Sequence, residues 1–234
     1  MMKRVLLKLS GEALANGNES NIYDAPYVDK VARAIKECAD RGLEIAIVVG
    51  AGNIWRGRSG TEMNHTAADH MGMLATVINS IYLKDALVRA GAQCEVMTAV
   101  PMMPFAEGYS ADKAVRALEA GKIVVFGAGL GIPFLSTDTA GVVRAKEIGA
   151  DAMFMAKNVD YIYTDDPRKN PEAKKLERVK ASEILAMNLK AIDSTAAAFS
   201  MSNDLPIHVF GFRSPDDIVR ALSGESVGTI ITAE

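Results

Sequence analysis

The chain has 234 residues, of which 49% are hydrophobic, 24% charged and 6% aromatic. This length allows one sizeable core and is short for two independent domains, so we expect a single domain over residues 1–234. The formal net charge of −3 and the lack of a run of Lys and Arg give no electrostatic reason to expect nucleic acid as a partner. Small anions remain possible ligands, because a few N–H groups and one or two cations hold a phosphate.

Hydrophobic periodicity predicts alternating strands and helices over the first two thirds of the chain. Short apolar runs predict strands at 4–9, 43–49, 93–99, 122–127 and 152–156. Apolar residues at helical spacing predict helices between them, at 26–41, 67–90, 111–120 and 139–149. Fully apolar strands that alternate with helices are typical of a parallel sheet covered on both faces. We therefore expect an α/β fold, a three-layer αβα sandwich with a mainly parallel central sheet.

The last third of the chain is less regular. Residues 159–180 contain Pro167 and Pro171 and predict a hairpin or a long excursion instead of a helix. Helices follow at 182–187, 194–202 and 215–223, with strands at 207–210 and 228–232. Ligands of such sheets bind beyond the carboxyl ends of the strands, so the loops at those ends are the candidate site.

Two sequence features concern the cellular compartment. Cys38 falls in a helical pattern and Cys94 in a strand pattern, and neither has a metal-binding spacing, which indicates thiols in a reducing cytosol. No apolar stretch approaches about 18 residues, and the first residues run directly into a strand instead of a signal peptide. We expect a cytoplasmic protein without a membrane partner.

The first predicted strand ends in a lysine, a serine and a glycine. Lys8 at the end of an apolar strand is costly unless its ammonium meets an anion. Gly11 allows the backbone to approach a ligand closely, and Ser10 adds a hydroxyl. Taken alone, these residues favour a snorkelling lysine beside a turn glycine over an anion site.

Two glycine-rich loops follow other predicted strands. Residues 50–57 present successive N–H groups that can surround an anion, and Arg56 there can clamp phosphate oxygens. Residues 127–138 lead into a helix whose first turn contains Ser136, Thr137 and Asp138. These residues either cap the helix or form a phosphate site together with the helix dipole. Three such loops at one sheet edge indicate a phosphate site.

Several common nucleotide and metal sites are excluded by their motifs. The chain has no G-x-x-x-x-G-K-[ST], no G-x-G-x-x-G, and no H-R-D or D-F-G, so P-loop, Rossmann and protein-kinase sites are absent. His65, His70 and His208 are too scattered to indicate a metal site, and we predict no protein-held metal.

With these loops placed, the chain resembles the uridylate kinases of the amino acid kinase superfamily along essentially its whole length. The segments that carry the resemblance are KRVLLKLSGEA at 3–13, GAGNIWRG at 50–57, DHMGMLAT at 69–76, PFLSTDT at 133–139, VDYIYTDDP at 159–167, LKAIDSTAA at 189–197 and GTIITAE at 228–234. The resemblance implies an αβα sandwich that makes UDP from UMP and MgATP in pyrimidine nucleotide synthesis. It also implies a homohexamer built as a trimer of dimers.

The resemblance assigns roles to individual residues. Lys8 would bridge the transferring phosphoryl group, Asp138 would orient Lys8, and Arg56 and Asp193 would complete the catalytic set. The implied ATP-binding residues are Lys8, Leu9, Ser10, Gly11, Gly52, Arg56, Lys157, Asn158, Tyr163 and Asp166, the last two beside adenine and ribose. The implied UMP-binding residues are Ala51, Asp69, Gly129, Leu130, Gly131, Ile132, Pro133, Phe134, Leu135, Ser136 and Thr137, with Asp69 on the ribose.

The chain departs from the family pattern at three places. Ala51 replaces the middle glycine of a triplet, which costs about 1 kcal/mol if φ is positive there. Leu130 and Ile132 replace a threonine and an asparagine that normally lie against the pyrimidine. The helix that carries basic GTP contacts in some relatives has Lys84, Val88 and Arg89, a partial match.

These departures leave two alternative functions open. The first is a kinase of the same superfamily that acts on another small anion, such as carbamate, an acylated amino acid or an isoprenoid phosphate. The second is a regulator that binds UMP or UTP without much turnover. Substrate-dependent release of ADP distinguishes the three.

Overall fold

The computed structural model describes residues 2–17, 21–55, 62–167 and 169–233. The strands in these ranges are β1 (Arg4–Leu9), β2 (Glu44–Val49), β3 (Cys94–Thr98), β4 (Glu107–Gly108), β5 (Ile123–Gly127), β6 (Ala152–Lys157), β7 (Ile162–Tyr163), β8 (Lys175–Leu176), β9 (Arg178–Lys180), β10 (Ile207–Gly211) and β11 (Thr229–Thr232). The helices are α1 (Ala25–Asp40), α2 (His65–Arg89), α3 (Ala111–Glu119), α4 (Thr137–Glu147), α5 (Ala181–Ala186), α6 (Ser194–Ser202) and α7 (Asp216–Leu222).

Nine of the described strands form one sheet in the order β4-β3-β5-β2-β1-β6-β10-β11-β9. Neighbouring strands are parallel except for β10 and β11, which run antiparallel. Strands β7 and β8 form a separate antiparallel pair. The loops that follow β5, β2, β1 and β6 therefore lie side by side at one edge, because these four strands are consecutive in the sheet.

Helices cover both faces of the sheet. Val5, Leu7 and Leu9 of β1 belong to the buried cluster formed with α1, α2 and α7. Leu6 belongs to the opposite cluster, formed with α3, α4, α5 and α6. Side chains alternate along a strand, so Lys8 lies on the same face as Leu6 and α4. The predicted αβα sandwich with a mainly parallel sheet is confirmed.

Helix α2 is long and apolar enough to cross a membrane by length and composition alone. It packs against α1, β3 and β5, however, and Ala75, Leu83 and Leu87 are buried there. A core helix passes the same test, so the length and composition of α2 are weak evidence for a membrane.

Candidate active site

Two lysines share one buried carboxylate at the carboxyl edge of the sheet. Lys8 Nζ lies 2.9 Å from Asp138 Oδ1, and Lys157 Nζ lies 2.8 Å from Asp138 Oδ2. Lys8 is near the end of β1, Lys157 ends the neighbouring strand β6, and Asp138 is in the first turn of α4. The cluster therefore presents more positive than negative charge to the loops around it.

The protonation of this cluster is set by burial and by its own charges. Burial alone would raise the pKa of Asp138, but the positive charges of Lys8 and Lys157 outweigh it and hold that pKa below its usual value. Burial and the like charge of Lys8 lower the pKa of Lys157, while Asp138 and Asp193 act in the opposite direction. Because the carboxylate stays ionised, both lysines keep their partner.

Ser136 caps helix α4. Its Oγ accepts hydrogen bonds from the backbone N–H groups of Asp138 and Thr139, each at 3.1 Å. The hydroxyl of Ser136 donates in turn to Asp193. Capping thus falls to Ser136, and the carboxylate of Asp138 is left to the two lysines.

Asp193 joins α4 to α6. Its carboxylate accepts from Thr139 Oγ1 at 2.9 Å and from the backbone N–H of Ala196, also at 2.9 Å, in addition to Ser136. Asp193 thereby caps α6. Asp193 therefore links the N-termini of α4 and α6 beside Asp138.

A cavity of about 420 Å³ opens beside the cluster. One wall is charged and polar and the other, from α5 and the loop before α6, is largely apolar. The lining residues are Lys8, Ser136, Asp138, Lys157, Ile184, Leu185, Asn188, Leu189, Lys190, Ile192, Asp193 and Ser194.

The first two loops approach each other so closely that Gly11 has no room for a side chain. A Cβ there would lie 2.4 Å from Asn53 Oδ1 and 2.7 Å from the carbonyl oxygen of Gly50. The fully buried Asn79 of α2 holds the second loop, donating to Gly50 O at 2.7 Å and to Asn53 Oδ1 at 2.8 Å. Any larger residue at position 11 would force these two loops apart.

A second cavity, of about 200 Å³, lies between α2 and the loop that precedes α4. It is lined by Ala51, Trp55, Ala68, Asp69, Gly72, Met73, Thr76, Gly129, Leu130, Ile132, Leu135, Ser136 and Thr137. Ser136 lines both cavities, so they meet at the N-terminus of α4. That position favours a negative charge through the helix dipole.

The loop between β5 and α4 contains the strained backbone of the site. Ala128 and Phe134 have φ values of 63° and 69°, a region that disfavours L-residues with a side chain. Thr76 of α2 accepts from the backbone N–H of Ala128 at 2.9 Å and so holds this conformation. Ala51 is not among the described residues with positive φ, so the replacement of glycine by Ala51 causes no backbone strain.

Most of the predicted acceptor residues line the second cavity. Ala51, Asp69, Gly129, Leu130, Ile132, Leu135, Ser136 and Thr137 do so. Gly131 packs against Ala99 instead, and the ring of Phe134 stacks on His65 outside the cavity. Pro133 belongs to the same loop without lining the cavity.

The predicted ATP residues are spread over three places. Lys8 and Lys157 line the larger cavity, whereas the side chain of Leu9 is fully buried in the core, and Ser10 caps the short 3-10 helix Gly11–Leu14. Gly52 packs against Glu12, and Glu12 accepts from Asn158 Nδ2 at 3.4 Å.

Two further residues of that set, Tyr163 and Asp166, lie at the β7–β8 hairpin. The hydroxyl of Tyr163 donates to Asp160 at 3.0 Å, and the carbonyl of Asp166 accepts in a turn from Asn170. Arg56 lies outside the described residues.

Sequence reasoning missed some residues of the site. The contact of Lys157 with Asp138 was not foreseen, although a lysine that ends an apolar strand is the same signal that singled out Lys8. Trp55 and Met73 of the second cavity gave no signal of their own, because apolar residues in these patterns also fit the core.

Comparison with known families decides among the folds that present such loops. The model of the amino acid kinase family matches residues 3–211. The chain belongs to the amino acid kinase family.

Three solved structures share the fold over nearly their full length. UMP kinase from Bacillus anthracis is 38% identical with a TM-score of 0.94, and the match covers 100% of this chain and 97% of that one. UMP kinase from Ureaplasma parvum is 33% identical with a TM-score of 0.92, covering 99% of each chain. Uridylate kinase from Archaeoglobus fulgidus is 26% identical with a TM-score of 0.75, covering 99% and 100%.

The site of this amino acid kinase is built for anions. Across the part of the chain that the structure describes, no group of three or more His, Cys, Asp and Glu side chains could hold a metal ion. Asp138 and Asp193 are both engaged by donors of the protein itself. Chemically, two ammonium groups beside a helix N-terminus can neutralise phosphate oxygens.

Proposed function

We propose that this protein transfers the γ-phosphate of ATP to UMP, giving ADP and UDP. The observation that carries the proposal is the meeting of two cavities at Ser136, one beside a lysine-rich cluster and one beside Asp69. The donor phosphates occupy the larger cavity and UMP the smaller one. The phosphoryl group then crosses at the N-terminus of α4, where Lys8 and Lys157 converge on Asp138.

The reaction needs no general base. The second pKa of a phosphate monoester is about 6, so the attacking oxygen of UMP is already largely ionised at neutral pH. The physical problem is to hold two anionic groups in line and to neutralise the charge that builds on the transferring oxygens. Lys8, Lys157 and the N–H groups of the glycine-rich loops supply that stabilisation.

Magnesium enters this reaction with the donor, as the MgATP substrate. The two carboxylates beside the larger cavity, Asp138 and Asp193, already accept from lysines, hydroxyls and a backbone N–H. The metal would come bound to the phosphate oxygens of ATP, and the charge neutralisation that it would supply adds to that of the lysines. The residues of the chain orient the lysines and the two substrates.

Acceptor recognition depends on the walls of the smaller cavity. Leu130 and Ile132 are apolar, and the hydroxyl of Thr76 already donates to Met73 O at 2.7 Å while accepting from Ala128. Uracil would therefore meet backbone groups, the shape of the cavity and the hydroxyl of Thr137, with Asp69 on the ribose. This apolar wall is also the feature that favours the second candidate, a kinase for another small anionic acceptor.

A panel of acceptors tests the assignment. We expect ADP release from MgATP to be selective for UMP over CMP, dUMP, AMP and GMP, with or without GTP. The selectivity for uracil over cytosine should be about 10- to 10³-fold, because a cavity of fixed shape leaves polar groups unpaired on the wrong base. Activity on none of these nucleotides would move the assignment to a non-nucleotide acceptor or to a binding-only role.

An exposed apolar stripe on α2 supports a homo-oligomer. Met71, Leu74, Ile78, Ile81 and Val88 are 39%, 53%, 51%, 40% and 51% exposed. Their spacing of three, four, three and seven residues places them on one side of the helix, opposite the side buried against the sheet. A second copy of α2 matches such a stripe, since a two-fold interface pairs the same surface of both subunits. We place the dimer of the implied hexamer here.

Charge on this stripe should break the dimer. We expect the wild-type protein to elute as a hexamer in light-scattering chromatography and the double variant Leu74→Glu/Ile78→Glu to elute as a smaller species, because four buried carboxylates per dimer would face each other. The control Met201→Glu, at an exposed apolar residue of α6, should keep the wild-type mass. An unchanged mass of the double variant would contradict the placement of the dimer.

The remaining parts of the proposal concern the cellular setting. We place the protein in the cytoplasm, in pyrimidine nucleotide synthesis, as a single amino acid kinase domain over residues 1–234 without nucleic acid or membrane partners. The net charge of −3 and the buried side of α2 support these assignments.

A further inference from the structure

His65 and Asp69 connect the first turns of α2 to the loop that forms one wall of the smaller cavity. His65 Nδ1 lies 3.3 Å from Asp69 Oδ2, one helical turn along. The same carboxylate oxygen accepts from the backbone N–H of Phe134 at 2.7 Å. The rings of His65 and Phe134 stack with their centroids 4.7 Å apart and their planes at 3°. We call these three residues the acceptor clasp.

The clasp holds a strained and exposed residue in place. Phe134 has a φ of 69°, and its side chain is 64% exposed, so neither backbone preference nor burial fixes it. A non-glycine residue persists in this conformation only when its surroundings determine it. Here the determining contacts are the hydrogen bond to Asp69 and the ring of His65.

The two carboxylate oxygens of Asp69 have different surroundings. Oδ2 is engaged by Phe134 and His65, while no donor within residues 62–167 or the other described ranges is placed on Oδ1. Asp69 lines the acceptor cavity, so Oδ1 is the oxygen that meets a ribose hydroxyl. The orientation of the carboxylate is then set by the partners of Oδ2.

We propose that His65 is a positioning residue for acceptor binding. It keeps Oδ1 of Asp69 turned toward the cavity and keeps the loop 129–137 docked on α2 through Phe134. This inference rests on the proposed binding of UMP in the smaller cavity. It adds a residue that does not itself line that cavity.

Steady-state kinetics of His65→Ala test the proposal. We expect KM for UMP to rise about five- to tenfold, because the contact of Nδ1 with the Asp69 carboxylate and one ring contact are lost together. KM for MgATP and kcat should stay within about twofold, since the change affects binding of the acceptor and no contact made only in the transition state. His70→Ala, an exposed histidine of the same helix, is the matched control and should leave all three constants unchanged.

Two further variants separate the contacts of His65. His65→Asn keeps a polar group near Asp69 without the ring, and His65→Phe keeps a ring without the polar group, so each should restore part of the UMP affinity. A purely structural role would instead lower the melting temperature or change both KM values together. An unchanged KM for UMP in His65→Ala would overturn the proposal.

Asp69→Ala distinguishes failure of the clasp from failure of the proposed function. If Asp69→Ala raises KM for UMP strongly and His65→Ala does not, UMP binds in the smaller cavity and the clasp is wrong. If neither variant affects KM for UMP, the acceptor binds elsewhere and both proposals fail.

Discussion

Replacing Lys8 with alanine is expected to lower kcat for UMP phosphorylation by about 10²-fold or more and to leave the protein folded. The loss of turnover follows because Lys8 is one of the two ammonium groups that contact Asp138 beside the larger cavity. The fold should survive because Asp138 keeps Lys157 as a partner at 2.8 Å, so no buried charge is left unpaired. Steady-state rates and the melting temperature of the same preparation check both parts.

A matched control for this variant is Lys36→Ala. Lys36 pairs with Asp40 on the surface of α1, so its loss removes the same kind of charge far from the cluster and should leave kcat unchanged. Near-normal turnover of Lys8→Ala would rule out the role assigned to Lys8. A collapse of its melting temperature would show that Lys8 serves the fold instead.

Asp138→Asn is expected to lower kcat by about 10²-fold as well, through loss of the group that holds both lysines. At neutral pH it should also lower the melting temperature, because two lysines then face each other in a partly closed site. The pKa of Lys157 is already lowered by burial and by Lys8, and loss of Asp138 lowers it further. At a pH above that lowered pKa, Lys157 is neutral in the folded state, and its repulsion by Lys8 is lost.

The pH dependence of the stability of Asp138→Asn follows from the direction in which the pKa of Lys157 shifts. A lysine whose folded pKa lies below its unfolded pKa binds fewer protons when folded, so stability rises with pH between the two values. The deficit in melting temperature relative to wild type should therefore shrink from neutral pH toward pH about 10. Turnover should not recover.

The alternative role of Asp138, capping of α4, predicts a different result. Loss of a cap costs about 1 kcal/mol regardless of lysine protonation, so the deficit would be the same at both pH values. Ser136→Ala supplies the reference for that behaviour, because Ser136 is the residue that accepts from the N–H groups of Asp138 and Thr139.

The regular part of the fold was predictable because local signals coincide with long-range packing. The strand at 4–9 and the helix at 194–202 have the predicted bounds in the structure. Helix α2 begins two residues earlier than predicted, because Asn64 caps it by accepting from Thr66 and Ala67. The short strand β9 was missed, since it is defined by its pairing with the distant β11.

The site was predictable in its location and less so in its contacts. Glycines, Lys8 and the first turn of α4 stand at strand ends, and a parallel sheet brings such ends together. Which side chains meet was not predictable, because the partners of Asp138 come from strands 130 and 19 residues away in the chain. The contact of His65 with Phe134 likewise depends on the positive φ of Phe134, which the residue type does not predict.

The most direct test of the account follows a labelled γ-phosphate from MgATP in the presence of UMP. The account predicts that the wild-type protein transfers the label to the β-position of UDP, one for each ADP formed, and that Lys8→Ala does so about 10²-fold more slowly. Release of the label as inorganic phosphate, or no ADP with UMP present, would contradict it.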